Sequence, residues 1–449
     1  MASTLTHRRM AMGCIAVLVA TFAFVVTTSS FAEPLTLPAA LERALASHPD
    51  LRLAVADLAV ARADSMFAGR PAFNPQLELQ GSRSGGSTGG GSDHSVGLAV
   101  SQEVELGGKR VARRSVAVSR SQTSAAEWRA MAQEITSRVR AQFEHALFLQ
   151  ERISTLGELA ELDRRVVRAS QARVRDGSIT PVTGRLSELD LLRLEAQAMR
   201  VRSELRQAIG ALGLAVGSEL ADTTRLSGEF AADSLLAPED SVVAMALRTR
   251  GRGEVLRRQI AERRAQLRLA EAEAHPNLTV GAGIDSERRS FSGADFAGDP
   301  AIVRGITGVS ATENAWSARV SVPLPLWQKN EAARARAASE IARSEAAYDR
   351  YRLQARLEVL GAVRRFQDAT TLYRFYLDRS DKVRPDLVLI RGAYADGRIP
   401  LDSYLTQKGR LVDTLLGQLE AGDAYWDARG QLETAAGLGL DQLNAGGAR

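Results

Sequence analysis

Cysteine is almost absent from this sequence, which contains only Cys14 among its 449 residues. Cys14 lies within residues 1–32, which have the form of a secretory signal peptide and which we expect to be removed. A chain without cysteine has no disulfides and no thiol chemistry. Because the apolar run lies mostly after Cys14 rather than before it, we do not expect lipid attachment at this residue.

Three features of the first residues predict the signal peptide. A basic stretch that ends at Arg9 precedes an apolar run over residues 10–26, and Ser30-Phe31-Ala32 has the small-x-small form of a cleavage site. The alternative is an uncleaved membrane anchor, but this apolar run is short for a membrane-spanning helix. We therefore expect cleavage after Ala32 and export of the chain.

Long apolar runs are absent after Ala32, so we expect no later transmembrane helix, which needs about 20 apolar residues. If the chain enters a membrane, it must do so as a β-barrel. A concentrated basic patch is also absent. Removal of residues 1–32 lowers the formal net charge only from +5 to +3, and arginines alternate with acidic residues along helical stretches. This pattern is typical of solvated helix faces, so we expect no nucleic acid partner.

Catalytic and metal-binding motifs are absent too. The five histidines are not at metal-ligand spacing, and no cysteine is available to complete a site. The sequence has no phosphate loop, no nucleophile elbow and no zinc-protease motif. We interpret His48-Pro49 and His275-Pro276 as positions that flank helices. The sequence therefore predicts a protein that is not an enzyme and that holds no cofactor and no metal.

An internal duplication organises the rest of the sequence. Asp176-Gly177-Ser178-Ile179 recurs 220 residues later as Asp396-Gly397-Arg398-Ile399, and residues 101–109 recur in part as residues 321–329. Each repeat is predicted to contain a helix, two strands and a long helical hairpin. The predicted domains are a signal peptide (1–32), a first repeat (33–217), a linker (218–240) and a second repeat (241–449).

Each repeat contains two segments in which apolar residues alternate with polar or very small ones. The apolar positions include Leu77, Leu79, Val96, Leu98 and Val100 in the first repeat and Leu278, Val280, Ile284, Trp316 and Val320 in the second. A period of two with one apolar side suits a barrel with lipid outside and water inside. An amphipathic sheet on a soluble core is the alternative, but four strands between very long helices make a poor soluble sheet.

Long helices are predicted to follow these strand pairs. Residues 109–176 contain no proline, and residues 329–396 contain one, Pro385. A helix of about 68 residues is on the order of 100 Å long, which suits a tube that crosses the periplasm. Phe143 and Leu149 belong to a narrow apolar face at three- and four-residue steps, which is typical of coiled-coil packing.

Each predicted long helix ends at an Asp-Gly pair that is soon followed by a proline. Gly177 and Gly397 supply the positive-φ position that closes a helix. Pro181 and Pro400 suit the start of a returning helix, where a missing N–H has no cost. The two turns are therefore predicted to be the tips of helical hairpins.

This organisation resembles the TolC-like outer membrane efflux proteins over essentially the whole chain after residue 32. The duplicated unit of two strands, long helix, turn and returning helix carries the resemblance, together with the two tips. Gln102-Glu103-Val104-Glu105-Leu106-Gly107-Gly108-Lys109-Arg110 looks like the segment found in the CzcC group, which serves cobalt–zinc–cadmium and related cation pumps.

The resemblance implies a mainly α protein with a membrane β-barrel. In the implied homotrimer each protomer gives four strands to a twelve-stranded barrel in outer membrane lipid and its helices to a coiled-coil tunnel in the periplasm. The implied partners are a periplasmic adaptor protein and an inner-membrane pump of the RND class, and the implied function is passive export of heavy-metal cations. Multidrug efflux and type I secretion are alternatives within this class. A periplasmic coiled-coil scaffold without transport is an alternative of another class.

The adaptor is expected to dock at the periplasmic tips. The expected docking residues are Asp176, Gly177, Ile179, Pro181, Asp396, Gly397, Ile399 and Pro400. Ile179 and Ile399 are expected to be exposed there. Alternatively, each isoleucine only holds its turn against its own hairpin. If the tips are not the docking surface, residues 218–240 are the better candidate.

Overall fold

A computed structural model of the protein describes residues 34–85, 92–228, 233–291, 309–380 and 382–447. The predicted signal peptide, Cys14 and the central parts of both loops between paired strands lie outside these residues. Within them the chain is mainly helical, with one four-stranded sheet and one two-stranded sheet.

The elements follow the predicted order in both halves of the described chain. The helices are α1 (Leu37–Ser47), α2 (Pro49–Phe67), α3 (Lys109–Arg175), α4 (Pro181–Val216), α5 (Glu239–Thr249), α6 (Gly251–Ala272), α7 (Glu331–Ser380), α8 (Val383–Ala395), α9 (Leu401–Ala436) and α10 (Leu440–Gly447). The strands are β1 (Leu35–Thr36), β2 (Gln76–Gly85), β3 (Ser92–Val104), β4 (Leu226–Ser227), β5 (Leu278–Phe291) and β6 (Val309–Ser321).

The first helix of the sequence prediction is two helices in the structure, because the chain leaves helical geometry at His48. The residue before a proline is disfavoured in the α region, and His48 adopts φ −58° and ψ 128° before Pro49. Its Nδ1 accepts a hydrogen bond from the Asp50 N–H at 3.1 Å and so caps α2. The interpretation of His48 as a helix-flanking residue is therefore confirmed.

The first predicted long helix is confirmed as α3, which has 67 residues and is therefore about 100 Å long. The second is divided, since α7 ends at Ser380 and α8 begins at Val383. Pro385 lies in the first turn of α8, where its missing N–H leaves no helical hydrogen bond unmade.

The predicted linker over residues 218–240 is fixed against the helices at several points. β4 pairs in parallel with β1, and the Gln150 side-chain amide makes two hydrogen bonds of 3.0 Å to the backbone of Leu226. Farther along, Asn444 accepts from the Leu236 N–H at 2.9 Å and donates to the Ser234 carbonyl at 3.0 Å. Residues near both ends of the described chain thus hold this segment at the middle of the helices.

The four-stranded sheet has the order β2-β3-β5-β6, and every neighbouring pair is antiparallel. Its register confirms the predicted alternation, because apolar residues from all four strands form rows on one face. One row is Leu79, Leu98, Ile284 and Trp316, and the next is Leu77, Val100, Ala282 and Ala318. The opposite face carries small and polar side chains, and one of its rows is Glu78, Ala99, Gly283 and Ser317.

The polar face of the sheet is tightly packed around its glycines. A Cβ atom at Gly283 would lie 2.9 Å from Ser317 Oγ and 3.2 Å from Ala99 Cβ. The apolar face, by contrast, is uncovered, and the Trp316 side chain on it is 83% exposed. The two faces of the sheet therefore differ in both polarity and packing.

Charged side chains are buried where α3 packs against α9. Arg429 Nε lies 3.4 Å from Glu433 Oε1 and 4.0 Å from Glu144 Oε1. On the other side, Arg140 Nε lies 3.4 Å from Glu433 Oε2. Burial and the neighbouring Glu433 carboxylate raise the pKa of Glu144 to about 7, although Arg429 and Arg140 oppose the shift.

This pKa predicts that Glu144→Gln makes stability less dependent on pH. The folded protein binds more protons than the unfolded chain between the ordinary glutamate pKa of 4.5 and about 7, so the stability contributed by protonated Glu144 is lost as pH rises through this window. The loss is on the order of 1–3 kcal/mol. In thermal unfolding of the purified protein, wild type should lose more stability than Glu144→Gln between pH 5 and pH 8.

Glu134→Gln is the matched control, because Glu134 lies on the same helix in an exposed pair with Arg138. This variant should keep the wild-type pH dependence. If Glu144→Gln and wild type had equal stability profiles against pH, the raised pKa of Glu144 would be contradicted.

Candidate functional site

The two predicted hairpin turns are confirmed as helix ends closed by glycine. Gly177 has φ 69° and Gly397 has φ 72°. The Ser178 N–H donates to the Arg173 carbonyl at 2.9 Å, and the Gly177 N–H donates to the Val174 carbonyl at 3.1 Å. This double hydrogen bond is the Schellman motif, and the same pattern recurs at the end of α8.

The predicted docking residues divide into two groups by exposure. Asp176, Gly177, Pro181, Asp396, Gly397 and Pro400 are exposed. Ile179 and Ile399 are half-buried against a cluster formed by Val166, Tyr394, Leu401 and Tyr404. Each isoleucine therefore helps to hold its turn against the helices while part of it remains at the surface.

The two hairpin turns lie next to each other, and Arg173 joins them. Its guanidinium donates to the Tyr394 carbonyl at 2.7 Å and to the Ala395 carbonyl at 3.2 Å. It also lies 4.4 Å from the centre of the Tyr394 ring. The Tyr394 hydroxyl is 2.9 Å from Ser170 Oγ. The hairpin of α3 and α4 and the hairpin of α8 and α9 thus present one combined surface.

A buried ion cluster lies above the turns and was not found from the sequence. Lys408 Nζ is 2.6 Å from Asp163 Oδ2 and 2.5 Å from Asp190 Oδ2. The side chains of Lys408 and Asp163 are each only 3% exposed. Burial raises the pKa of Asp163, and the Lys408 ammonium opposes that shift. The cluster joins α9, α3 and α4 at one point.

One sequence signal could have found this cluster. The chain contains only four lysines, Lys109, Lys329, Lys382 and Lys408, among its 58 basic residues. The first three lie at helix starts, whereas Lys408 lies inside α9. A compact ammonium at such a position suits a narrow site between two carboxylates better than a guanidinium does.

Two features are absent from the described residues. None of their helices combines the length and the apolar character that a membrane crossing requires. Nor do any three or more of their His, Cys, Asp and Glu side chains lie together in a group that could hold a metal ion.

Comparison with known proteins identifies the class as channels rather than enzymes. Residues 40–218 and 254–438 match the family described as outer membrane efflux protein, which together is well over half of the chain. The chain therefore belongs to the outer membrane efflux protein family.

Individual relatives are consistent with this family. The chain is 25% identical over 301 residues to the cobalt-zinc-cadmium resistance protein CzcC of Cupriavidus metallidurans, a match that spans 67% of this chain and 65% of CzcC. The crystal structure of CusC is similar with a TM-score of 0.67 and 18% identity, over 90% of this chain and 92% of CusC. The CmeC outer membrane channel of Campylobacter jejuni is similar with a TM-score of 0.67 and 16% identity, over 89% of this chain and 85% of CmeC.

The ion cluster predicts a large loss of stability for Lys408→Met. Removal of the ammonium leaves the Asp163 and Asp190 carboxylates close together without a partner, which typically costs about 3–5 kcal/mol when a buried pair is broken. Thermal unfolding of the detergent-extracted protein should show this loss, and additional Asp163→Asn and Asp190→Asn changes should recover part of it.

Arg193→Met is the control for this experiment. Arg193 pairs with Asp413 across the same helices at 3.9 Å, but both side chains are mostly exposed. Exposed pairs contribute only about 0–1 kcal/mol. If Lys408→Met and Arg193→Met had the same small effect, the buried cluster would not stabilise the hairpins.

Proposed function

We propose that the protein is the outer membrane channel of an efflux system that exports heavy-metal cations. Three copies each give four strands to a twelve-stranded barrel and their helices to a coiled-coil tunnel in the periplasm. One observation carries the proposal: no helix of the described chain covers the apolar face of the four-stranded sheet. Monomeric soluble proteins rarely expose contiguous apolar patches of this kind, whereas lipid accommodates them.

The edges of the sheet support the trimer. In the described residues, β2 and β6 each pair on one side only, so each leaves a row of backbone groups free on its outer edge. Open edges are unfavourable in lipid, and barrels remove them by closure. Four strands are too few to close a barrel, and pairing of β6 with β2 of the next copy removes both edges.

The height of the apolar face supports its placement in a membrane. On β3 the apolar positions of this face run from Val104 to Val96, interrupted by Gln102, and the next position is His94, paired with Arg83. The eight steps from Val104 to Val96 span about 27 Å, which at a barrel tilt of about 40° is roughly 20 Å of height. The apolar band of such barrels is about 25 Å tall.

The domain division is part of the proposal. The first and second repeats over residues 33–217 and 241–449 arise from an internal duplication, and residues 218–240 connect them across the middle of the helices. The family matches over residues 40–218 and 254–438 support this division. The hydrogen bonds of Leu226 and Leu236 give the connecting segment a structural role.

The cargo is inferred from the relatives. The similarity to a cobalt-zinc-cadmium resistance protein supports divalent metal cations. The channel is passive, and the energy comes from an inner-membrane RND pump that is joined through a periplasmic adaptor. Multidrug efflux is the second candidate, because the fold does not itself select a substrate.

The adaptor docks at the joined tips in this proposal. Their exposed residues Asp176, Gly177, Pro181, Asp396, Gly397 and Pro400 form one surface because Arg173 links the two hairpins. Ile179 and Ile399 support the surface from beneath through their half-buried side chains.

Deletion of the gene tests the cargo. We expect tolerance of cobalt, zinc and cadmium salts to fall several-fold, with drug tolerance little changed and full recovery when the gene is restored. Growth inhibition by graded metal salts and by a drug panel measures both. Greater sensitivity to drugs than to metals would favour the multidrug channel, and no sensitivity to either would favour a scaffold without transport.

A double variant, Gly177→Asn with Gly397→Asn, tests the tips. Asparagine tolerates the left-handed conformation, and a new Cβ meets nothing within 4 Å at Gly177 and only Arg173 Nη2 at 3.6 Å at Gly397. The turns should therefore fold, while the added side chains alter the surface. We expect normal amounts of channel, with loss of adaptor cross-linking and of metal tolerance.

Gly157→Asn is the matched control. Gly157 lies on α3 about 30 Å from the tip, and its Cβ position is also free within 4 Å. This variant should cross-link and confer tolerance like wild type. If the double variant did the same, the tips would not be the docking surface.

A further inference from the structure

The apolar alternation of β6 continues beyond the end of the strand. β6 ends at Ser321, yet Val322, Leu324 and Leu326 extend the sequence of alternate apolar positions that begins on the strand. Leu324, Leu326 and Trp327 are strongly exposed, Trp327 to 87%. We call residues 322–327 the collar segment. Its apolar side chains pack on nothing in the described chain that would bury them.

The backbone of the collar segment is suited to an apolar boundary. Backbone N–H groups without partners are unfavourable near lipid. Pro323 and Pro325 have no N–H, and the Leu326 N–H donates to the Leu324 carbonyl at 2.9 Å. Fewer donors therefore remain unsatisfied than in an ordinary loop of the same length.

The segment is held at a fixed level of the molecule. Asn330, at φ 59°, donates from its side chain to the Ala270 carbonyl at 2.9 Å and so ties the segment to the end of α6. This level is the helix-side end of the sheet, where Phe73 precedes β2 and Leu106 follows β3. Both of these side chains are also exposed.

We propose that the collar segment is a lipid anchor, in which Leu324, Leu326 and Trp327 enter the boundary between headgroups and acyl chains on the periplasmic side of the outer membrane. This inference rests on the proposed function, because it requires the sheet to stand in lipid. The apolar positions of β3 alone account for roughly 20 of the about 25 Å that the apolar band of a barrel spans. The collar segment lies at the helix-side end of the sheet, where its apolar side chains would supply the rest of this apolar height.

Lipid fits the segment better than a second copy of the chain does. The collar segment follows directly on the strand that carries Trp316 and Val320, and the face of these two residues is the one turned to lipid in the proposed barrel. Tryptophan is enriched where membrane meets water, because its ring is apolar and its N–H is polar. Lys329 follows two residues later, and a lysine near the membrane surface is attracted to lipid phosphates.

Tryptophan fluorescence tests the proposal, because the chain has only four tryptophans, Trp128, Trp316, Trp327 and Trp426. Proteins that retain one tryptophan each, with phenylalanine at the other three positions, are placed as full channels in phosphatidylcholine vesicles. The lipids carry bromine either near the headgroup or near the chain end, since bromine quenches fluorescence on contact. If replacement of the buried Trp426 prevents folding, the difference between wild type and Trp327→Phe reports Trp327 instead.

We expect Trp327 to be quenched by bromine, and several-fold more by bromine near the headgroup than near the chain end. Trp316 should also be quenched, with a stronger contribution from the deep bromine. Trp128 should not be quenched, because it lies on α3 about 30 Å beyond its start. Quenching of Trp316 without quenching of Trp327 would overturn the lipid anchor alone. Absence of quenching at both would overturn the membrane barrel itself.

Discussion

The structure depends on an apolar sheet face that none of the described residues covers. Leu79, Leu98, Ile284 and Trp316 form one continuous row across four strands, and burial of apolar surface contributes about 25 cal/mol per Å². The helices cannot supply this burial, because they extend away from the sheet rather than packing on it. Lipid on the apolar face and neighbouring copies at the open edges would satisfy both requirements, and this is the reason for proposing a membrane channel.

Away from the sheet, the long helices pack on one another through narrow apolar faces. Their packing is supplemented by buried charge: Arg429 lies between Glu144 and Glu433 at the middle, and Lys408 joins three helices near the tips. Such clusters are sensitive to the loss of a single partner, so they fix how the helices are aligned. Close to the turns, Arg173 connects the two hairpins through backbone carbonyls, which makes the tips one surface instead of two.

The local patterns of the sequence were sufficient to predict the strands and the helix ends at the tips. They were insufficient to predict the helix breaks and the contacts between distant elements. Alternation over β2, β3, β5 and β6 and the glycine-closed turns depend on neighbouring residues, so they could be predicted. The breaks at Pro49 and before Pro385 were missed because apolar periodicity continues across them. The partners of Lys408 lie 245 and 218 residues away along the chain, and no local pattern marks a contact between residues so distant. Residues 218–240 were predicted as a linker, but the contacts that fix them against the helices were missed for the same reason.

The most direct test of the account is to cross-link the two open edges of the sheet between copies. Cysteines are introduced at Glu78 on β2 and at Ser317 on β6, which lie on the same polar face at opposite edges. The expected mature chain has no other cysteine, so a short bifunctional thiol reagent reports only this contact. The account predicts covalent species of two and three chains, and none larger, from the outer membrane fraction. A chain recovered from the soluble periplasm as an uncross-linked monomer would contradict it.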